Sequence, residues 1–204
     1  MIFFKTFRQV YFLFFSIIFL SVACLSQLSL AGNVNSDKLA CSKRCFLLLR
    51  KYEKAYSIPK NILCAISIVE SGKSVGNLKL RLPWPWTVNV NGDTLQKQRY
   101  FDTLIEAQKF ILKNFIQGKN NIDIGCMQLN IMYHNKNFSS IDQALDPDNN
   151  IRYAANYLRS QYKKHSSWSK AIANYHSRDP KKGRSYYLKV LKAKNEISRN
   201  RGLI

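Results

Sequence analysis

The sequence predicts a mainly α-helical chain that folds as a single domain with a small β-hairpin insert near residues 84–101. Three observations support this fold class. Apolar residues recur at helical spacing in most segments, only the segment 82–101 alternates polar and apolar residues, and neither a repeat nor a long linker divides the chain. The roughly 173 residues that follow position 31 suit one domain with a single sizeable core.

Two helices are expected before residue 73. Apolar residues recur among cations from about residue 36 to 56, which indicates an amphipathic helix. Ser57-Ile58-Pro59 ends this helix and opens the next one, because Pro59 suits a first helical turn. Gly72 supplies the stop and leaves Glu70 in the last turn. The apolar positions are Leu39, Phe46, Leu49 and Tyr52 in the first helix and Ile62, Leu63, Ile66 and Val69 in the second.

A hairpin and a third helix are expected next. Thr87 to Gly92 alternates in polarity and ends in an Asn-Gly turn signal, and Arg99-Tyr100-Phe101 supplies the returning strand. Trp84 and Trp86 precede this hairpin and could either stack on sugar rings or pack the hairpin onto the helical body. The spacing of Thr103-Leu104-Ile105-Glu106 predicts a capping box, from which a helix runs to about Gln117 and stops at Gly118.

Three further helices complete the predicted fold. Asp148 opens a long helix through Tyr162, with Ile151, Ala154, Ala155 and Leu158 on its inner face. Ser167 caps a short helix that holds Ala171 to His176. Asp179-Pro180 opens the last helix, which we expect to fray into a basic tail from about residue 190.

The first 31 residues have the features of a cleaved secretory signal. Lys5 and Arg8 precede an apolar run from Val10 to Leu20, and Ser29-Leu30-Ala31 places small residues where a signal peptidase cleaves. An uncleaved anchor is the alternative, although the apolar run is short for a span. Lipoprotein processing at Cys24 is a minor alternative, because Ser21 stands where an aliphatic residue is expected. We therefore expect a periplasmic protein that comprises residues 32–204 and has no transmembrane helix after cleavage.

The chain is strongly basic, with a net charge of +20. Loss of Lys5 and Arg8 with the signal would leave +18. Such an excess suits an anionic partner, and nucleic acid, anionic lipid and a cell-wall polymer would all satisfy it. The expected export of the protein argues against nucleic acid as this partner, and the sequence contains no recognised nucleic-acid-binding motif.

Four cysteines remain after the expected cleavage: Cys41, Cys45, Cys64 and Cys126. They allow three pairings, between which the sequence does not choose. Cys41 and Cys45 lie one helical turn apart, a strained geometry for a bridge inside a helix. Cys126 suits a small buried apolar position, although it could meet Cys64. His134, His165 and His176 show no metal-ligand spacing with the cysteines, so no metal and no cofactor is expected.

Glu70 is the strongest candidate for a catalytic residue. It ends the apolar run Ile66-Ser67-Ile68-Val69. Burial among apolar side chains raises the pKa of a carboxyl group, which keeps it protonated near neutral pH and able to donate a proton to a leaving oxygen. Taken alone, a glutamate near a helix C-terminus is more often a surface residue, because the helix dipole disfavours a buried one.

Three short islands carry a family resemblance: Glu70-Ser71-Gly72, Gly125-Cys126-Met127-Gln128 and Ala171 to Ser177. In order and residue type they resemble the lytic transglycosylases, which have a lysozyme-like fold. The resemblance spans roughly residues 46–190 and departs from the family pattern at Cys126 and His176, where the family usually has Leu and Asn.

The insert narrows the resemblance to one branch. Val88-Asn89-Val90-Asn91-Gly92, Glu106-Ala107 and the run from Gly118 to Gly125 are similar to transglycosylases attached to type IV secretion systems. The Pro83-Trp84-Pro85-Trp86-Thr87 run is similar to a group of exported bacterial transglycosylases. A cell-envelope secretion apparatus is therefore a possible partner, beside the glycan strands of peptidoglycan, and a monomer is expected.

The resemblance implies a role for each matching residue. Glu70 would act as general acid and then general base on the bond between N-acetylmuramic acid and N-acetylglucosamine, forming a 1,6-anhydro ring without a second carboxylate. Ser71 would orient Glu70 or its loop. The sugar-binding positions would be Met127, Gln128, Asn174, Tyr175 and His176.

Two other functions remain open. A goose-lysozyme-like hydrolase would need Asp93, Asp102 or Asp123 to activate water. A peptidoglycan-binding assembly factor of a secretion or motility apparatus, in which cleavage is secondary, is suggested by the insert and by the basic segment from Lys189 to Arg201.

Overall fold

The structure is a computed structural model that describes residues 39–75, 81–92 and 98–199. The expected signal at 1–31 and Asp93 lie outside these residues. The description below concerns the compact unit that begins at Cys41. The helices are α1 (residues 39–55), α2 (Ile62–Ser71), α3 (Leu104–Ile116), α4 (Ile131–His134), α5 (Ile141–Leu145), α6 (Pro147–His165), α7 (Trp168–His176) and α8 (Pro180–Arg199), with a 3₁₀ turn at Asn135–Asn137. The strands are β1 (Gly72–Lys73), β2 (Leu82–Pro83), β3 (Thr87–Val90), β4 (Arg99–Tyr100), β5 (Ile122–Ile124) and β6 (Leu129–Asn130).

Two separate apolar clusters organise these elements. The helical cluster joins α1, α2, α6, α7 and α8 through residues such as Leu49, Ile66, Leu158, Ile172 and Val190. The sheet cluster packs α3 and α5 against the strands, with Val88, Ile111, Ile122, Ile124 and Leu145 fully or nearly fully buried. The predicted fold class, mainly α with a small β insert, is confirmed. Among the helices of the described ranges, none has both the length and the hydropathy of a bilayer span.

The β insert is larger than the predicted hairpin. The predicted pairing of β3 with β4 is present and antiparallel, and its register places Thr87 opposite Tyr100. The other edge of β3 pairs with β5, which in turn pairs with β6, so the sheet has the order β4-β3-β5-β6. Strands of two or three residues are too short to give a periodic signal, which explains why β5 and β6 were missed.

The N-terminus of α2 differs from the prediction. The helix begins at Ile62, three residues after Pro59, and its N-cap Asn61 has φ 67° and makes no side-chain cap. The buried carboxylate of Glu53, on α1, performs this function instead. It accepts hydrogen bonds from the backbone N–H groups of Asn61 (2.9 Å), Leu63 (2.8 Å) and Cys64 (3.3 Å). One side chain therefore satisfies the free donors of a buried helix end.

The other helix starts follow local capping chemistry. Thr103 and Glu106 form the predicted capping box of α3, and Ser167 caps α7. At α6 the prediction of Asp148 as the opening residue was wrong, since Asp146 is the N-cap and Pro147 the first helical residue. Asp148 instead accepts hydrogen bonds from Lys51 Nζ (3.0 Å) and from the Tyr52 hydroxyl (2.8 Å), which joins α6 to α1.

The last helix is longer and better packed than the sequence suggested. A frayed basic tail was expected from about residue 190, but the structure places residues 190–199 within α8. Val190, Ala193 and Ile197 are buried in the helical cluster. The cations of this stretch therefore lie on one side of an amphipathic helix whose other side is part of the core.

Removal of the Glu53 carboxylate should test the capping of α2. We expect Glu53→Ala to lower the free energy of unfolding by about 2–3 kcal/mol, because three backbone N–H groups lose their acceptor in a buried place. Glu106→Ala is the matched control, since the Glu106 carboxylate accepts from the exposed N–H groups of Asp102 and Thr103. Water replaces it there, and a loss of about 1 kcal/mol or less is expected. Urea denaturation measures both, and equal losses would contradict the capping role.

Candidate functional site

A cleft of about 890 Å³ lies between the helical cluster and the sheet. Its walls come from the C-terminal end of α2, the polar face of β3, β5 and β6, and parts of α4, α6 and α7. The residues that line it are Val69, Glu70, Asn89, Asn91, Gln98, Asp123, Gln128, Leu129, Asn130, Tyr133, His134, Tyr157, Asn174, Tyr175, His176, Ser177 and Arg178.

Glu70 lies at the helical wall of this cleft, in the last turn of α2, and is partly buried. The hydroxyl of Tyr186, a buried residue of α8, donates a hydrogen bond to Glu70 Oε1 over 2.5 Å. The ring of Tyr186 is itself stacked on His176, with ring centroids 4.5 Å apart and planes 5° from parallel. α8 therefore fixes the rotation of the carboxyl group, and α7 fixes the tyrosine.

The electrostatic environment of Glu70 suits proton transfer. Burial raises the pKa of Glu70 from 4.5 to about 7, and the negative charge of Asp123 acts in the same direction. The Tyr186 hydrogen bond and the charge of Lys189 oppose this rise, since both stabilise the carboxylate. Both the protonated and the ionised form of Glu70 are consequently populated near neutral pH. A group that donates a proton and later accepts one needs both forms.

The loop of residues 125–128, called here the site loop, is held by side chains of three helices. The carbonyl oxygen of Cys126 lies 2.9 Å from Ser67 Oγ and 2.7 Å from Ser71 Oγ, both on α2. Asn150 of α6 accepts from the N–H of Met127 (3.0 Å), and the hydroxyl of Tyr175, on α7, donates to the Met127 carbonyl (2.9 Å).

The start and the end of the site loop have left-handed backbone. Gly125 has φ 81° and Gln128 has φ 46°. A Cβ atom at Gly125 would lie 2.4 Å from Asn150 Nδ2, so the position has no space for a side chain. The Gln128 amide donates to the carbonyls of Thr87 (3.1 Å) and Gly125 (3.0 Å), which fixes this side chain at the cleft wall.

The opposite wall carries a second fixed carboxylate. Asp123 accepts hydrogen bonds from the side-chain amides of Asn91 (2.8 Å), Asn130 (2.7 Å) and Asn89 (3.3 Å). Strand alternation produces this arrangement, because Val88 and Val90 enter the sheet cluster and leave Asn89 and Asn91 on the cleft side. Three amide donors hold Asp123 in one position facing the same cleft as Glu70.

The predicted site residues fall into two groups. Gln128, Asn174, Tyr175 and His176 line the cleft together with Glu70. Met127 and Ser71 are fully buried behind the wall, where Ser71 holds the Cys126 carbonyl. Neither tryptophan lines the cleft: Trp84 is fully buried and donates Nε1–H to the Phe101 carbonyl, and Trp86 packs on the sheet cluster. The packing alternative for the two tryptophans is thus the one that the structure supports.

Sequence reasoning missed Tyr186 and the asparagines around Asp123. Tyr186 occupies a core position of α8 by its helical spacing, so nothing local separates it from a packing residue. The asparagines did carry a signal, since the alternation of Val88-Asn89-Val90-Asn91 predicts one polar face. Within the described ranges, no three His, Cys, Asp or Glu side chains are grouped as a metal site would need.

Substitution of Gly125 should show how far the site loop depends on its clamp. We expect Gly125→Ala to lower the free energy of unfolding by roughly 2–4 kcal/mol, because the methyl group displaces Asn150 and the left-handed backbone is strained. Gly118→Ala is the matched control, since Gly118 has φ 73° but open space around its Cβ position. Backbone strain alone should cost the control about 1 kcal/mol. Urea unfolding of both variants makes the comparison, and similar losses would exclude the steric contribution.

The raised pKa of Glu70 has a consequence for stability. Between about pH 4.5 and pH 7 the folded state binds more protons at Glu70 than the unfolded state does, so the free energy of unfolding falls as pH rises through this window. Gln cannot ionise, and we expect Glu70→Gln to have a higher Tm than the wild type at pH 8 but an equal one at pH 4. Thermal denaturation at several pH values measures the difference, and a pH-independent difference would contradict the raised pKa.

A comparison with known protein families finds a match for the C-terminal part of the chain. Residues 104–195 match the family model described as Transglycosylase SLT domain. No curated protein and no solved structure was found to match the chain. The matched segment runs from α3 into α8 and contains Asp123, the site loop, Tyr175 and Tyr186, whereas Glu70 precedes it. This domain is typical of enzymes that act on peptidoglycan. Residues 104–195 are therefore similar to a transglycosylase SLT domain, and they contain two of the three sequence islands, those at residues 125–128 and 171–177.

Proposed function

We propose that the protein is an exported murein lytic transglycosylase in which Glu70 is the catalytic acid and base. The observation that carries this proposal is the position of Glu70: a carboxyl group with a pKa of about 7, held by Tyr186 at the wall of a cleft of about 890 Å³. The SLT match, which contains the cleft residues from Asp123 to Arg178, suggests the substrate class, peptidoglycan.

The proposed reaction uses one carboxyl group twice, first as an acid and then as a base. Protonated Glu70 gives its proton to the oxygen of the β-1,4 bond between N-acetylmuramic acid and N-acetylglucosamine as the bond from that oxygen to C1 breaks. The resulting carboxylate takes the proton of the muramic 6-hydroxyl as this oxygen bonds to C1. The product is a 1,6-anhydro ring, no water is consumed, and Glu70 returns to its protonated form.

The contacts of Glu70 serve both steps. Donation requires the protonated acid, which burial favours, and abstraction requires the carboxylate, which the Tyr186 hydroxyl stabilises. The 2-acetamido group of the substrate would stabilise the charge at C1. The amides of Asn89 and Asn91, together with Gln128 and Asn174, form polar walls suited to sugar hydroxyl and acetamido groups.

A second candidate is a goose-lysozyme-like hydrolase, because Asp123 faces the same cleft. Its fixed carboxylate could act as the base that activates water. The other acids considered for this role differ: Asp102 is exposed and pairs with Lys73 over 3.3 Å, and Asp93 lies outside the described residues.

Export and partners are also proposed on the basis of the sequence. Residues 1–31 would be removed as a signal, which places the mature chain in the periplasm, and N-terminal sequencing of the mature protein tests this. Attachment to a type IV secretion apparatus rests on the resemblance of three segments, which include parts of β3, α3 and β5. The basic surface suits an anionic envelope.

Mass spectrometry of soluble products from purified peptidoglycan tests the reaction. We expect anhydro-muropeptides from the wild type, which are one water lighter than hydrolysed products, and a loss of roughly 10²–10⁴-fold in rate for Glu70→Gln. Asp123→Asn should retain most activity, as should the control Asp102→Asn, which alters an acid outside the cleft.

Other outcomes would redirect the assignment. Reducing-end products, together with a large loss in Asp123→Asn, would establish the hydrolase. An absence of products from the wild type, with retained binding to the wall, would favour the assembly factor.

A further inference from the structure

Two buried sulfur atoms lie close together in the helical cluster. Cys45 lies on α1 and Cys126 in the site loop, and their Sγ atoms are 2.8 Å apart. Both side chains are fully buried. Nonbonded heavy atoms rest at about 3.5–4.0 Å, and the sulfur atoms of a disulfide at about 2.05 Å. The pair is therefore closer than simple packing requires, and a small movement would complete a bond.

We propose that Cys45 and Cys126 form a disulfide bond that links α1 to the site loop. In the reaction the two thiols lose two protons and two electrons to an external disulfide, such as that of a dithiol oxidoreductase. The bond between the two protein sulfurs forms as the external disulfide breaks and leaves as two thiols. No other oxidant is needed, and this pairing is one of those that the sequence left open.

The alternative partner for Cys126 occupies another place. Cys64 lies on α2 beside Glu53, whose carboxylate accepts from the Cys64 backbone N–H. The thiol of Cys64 also contacts that carboxylate, and burial raises the pKa of this thiol well above its ordinary value. Cys41 precedes Cys45 by one turn of the same helix, the spacing that strains a bridge. The described geometry therefore selects Cys45 for Cys126.

Burial determines when the bond can form. Only a thiolate attacks a disulfide, and burial raises the pKa of Cys45 well above its ordinary value. Exchange in the folded protein should consequently be slow. The bond would form during folding, while both thiols are in water, and would afterwards be protected from reductants.

The proposed disulfide would restrain the site loop at Cys126. Cys126 follows Gly125 and precedes Met127, whose N–H and carbonyl are held by Asn150 and Tyr175. The hydrogen bonds of the clamp hold the backbone of the loop, and the disulfide would hold one of its side chains covalently. The enclosed chain segment contains α2 with Glu70 and the sheet strands β1 to β5.

Trapping of thiols tests the pairing directly. The full chain is expressed in an oxidising compartment, denatured with an alkylating reagent without reductant, and digested for mass spectrometry. We expect one linked peptide pair, which joins Cys45 to Cys126, and alkylation of Cys64. Alkylation of both Cys45 and Cys126, or a linked pair that contains Cys64, would overturn the proposal.

Thermal denaturation with and without reductant gives a second readout. Reductant should lower the Tm of the wild type by roughly 5–15 °C, and it should not change that of the Cys45→Ala/Cys126→Ala variant. Cys64→Ala is the control for the loss of a buried thiol and should keep the full shift, whatever its own Tm. A shift that persists in the double variant, or that disappears in Cys64→Ala, would contradict the bond. Neither readout involves catalysis, so the result does not depend on the proposed function.

Discussion

The site depends on the clamp that holds the backbone of residues 125–128. Ser67 and Ser71 from α2, Asn150 from α6 and Tyr175 from α7 hold two carbonyl groups and one N–H group of this loop. These backbone groups are buried, and each would carry a desolvation cost without its partner. The same loop connects β5 to β6, so its position also fixes the sheet relative to the helices. The two walls of the cleft are thus held in place through one short segment.

α2 links the clamp to the chemistry. At its start, Glu53 from α1 satisfies the backbone N–H groups of the first turn, and near its end Ser71 lies beside Glu70 and reaches into the loop. Adjacent residues of one helical turn therefore point in different directions, one toward buried backbone and one toward the cleft. These contacts at both ends of α2 hold the Glu70 carboxyl group in a partly buried position, although burial disfavours its charged form. Burial of Glu70 lowers the stability of the fold, and the hydrogen bonds made by Glu53 and within the clamp of the site loop offset this cost.

Local patterns predicted most of the fold because they act within a few residues. The capping box of α3 and the cap at Ser167 depend on atoms three positions apart, and a single sequence contains them. The errors came from interactions over long sequence separations. Glu53 moves the start of α2 from outside the segment, and β5 becomes a strand only because β3 lies beside it. In the candidate site, Glu70 and Gln128 are recognisable from motifs, whereas Tyr186 has the spacing of a core residue and only tertiary contact reveals its bond to Glu70.

The distance along the chain between Glu70 and Tyr186, 116 residues, has a consequence for biosynthesis. When α2 leaves the ribosome, the helices that will bury Glu70 have not been made. A glutamate in water is ionised at neutral pH and has no proton to donate. The pKa of Glu70 is raised only when α8 packs against α2. An incomplete or unfolded chain should therefore be catalytically inactive. The activity proposed for this protein would begin only once the chain has folded.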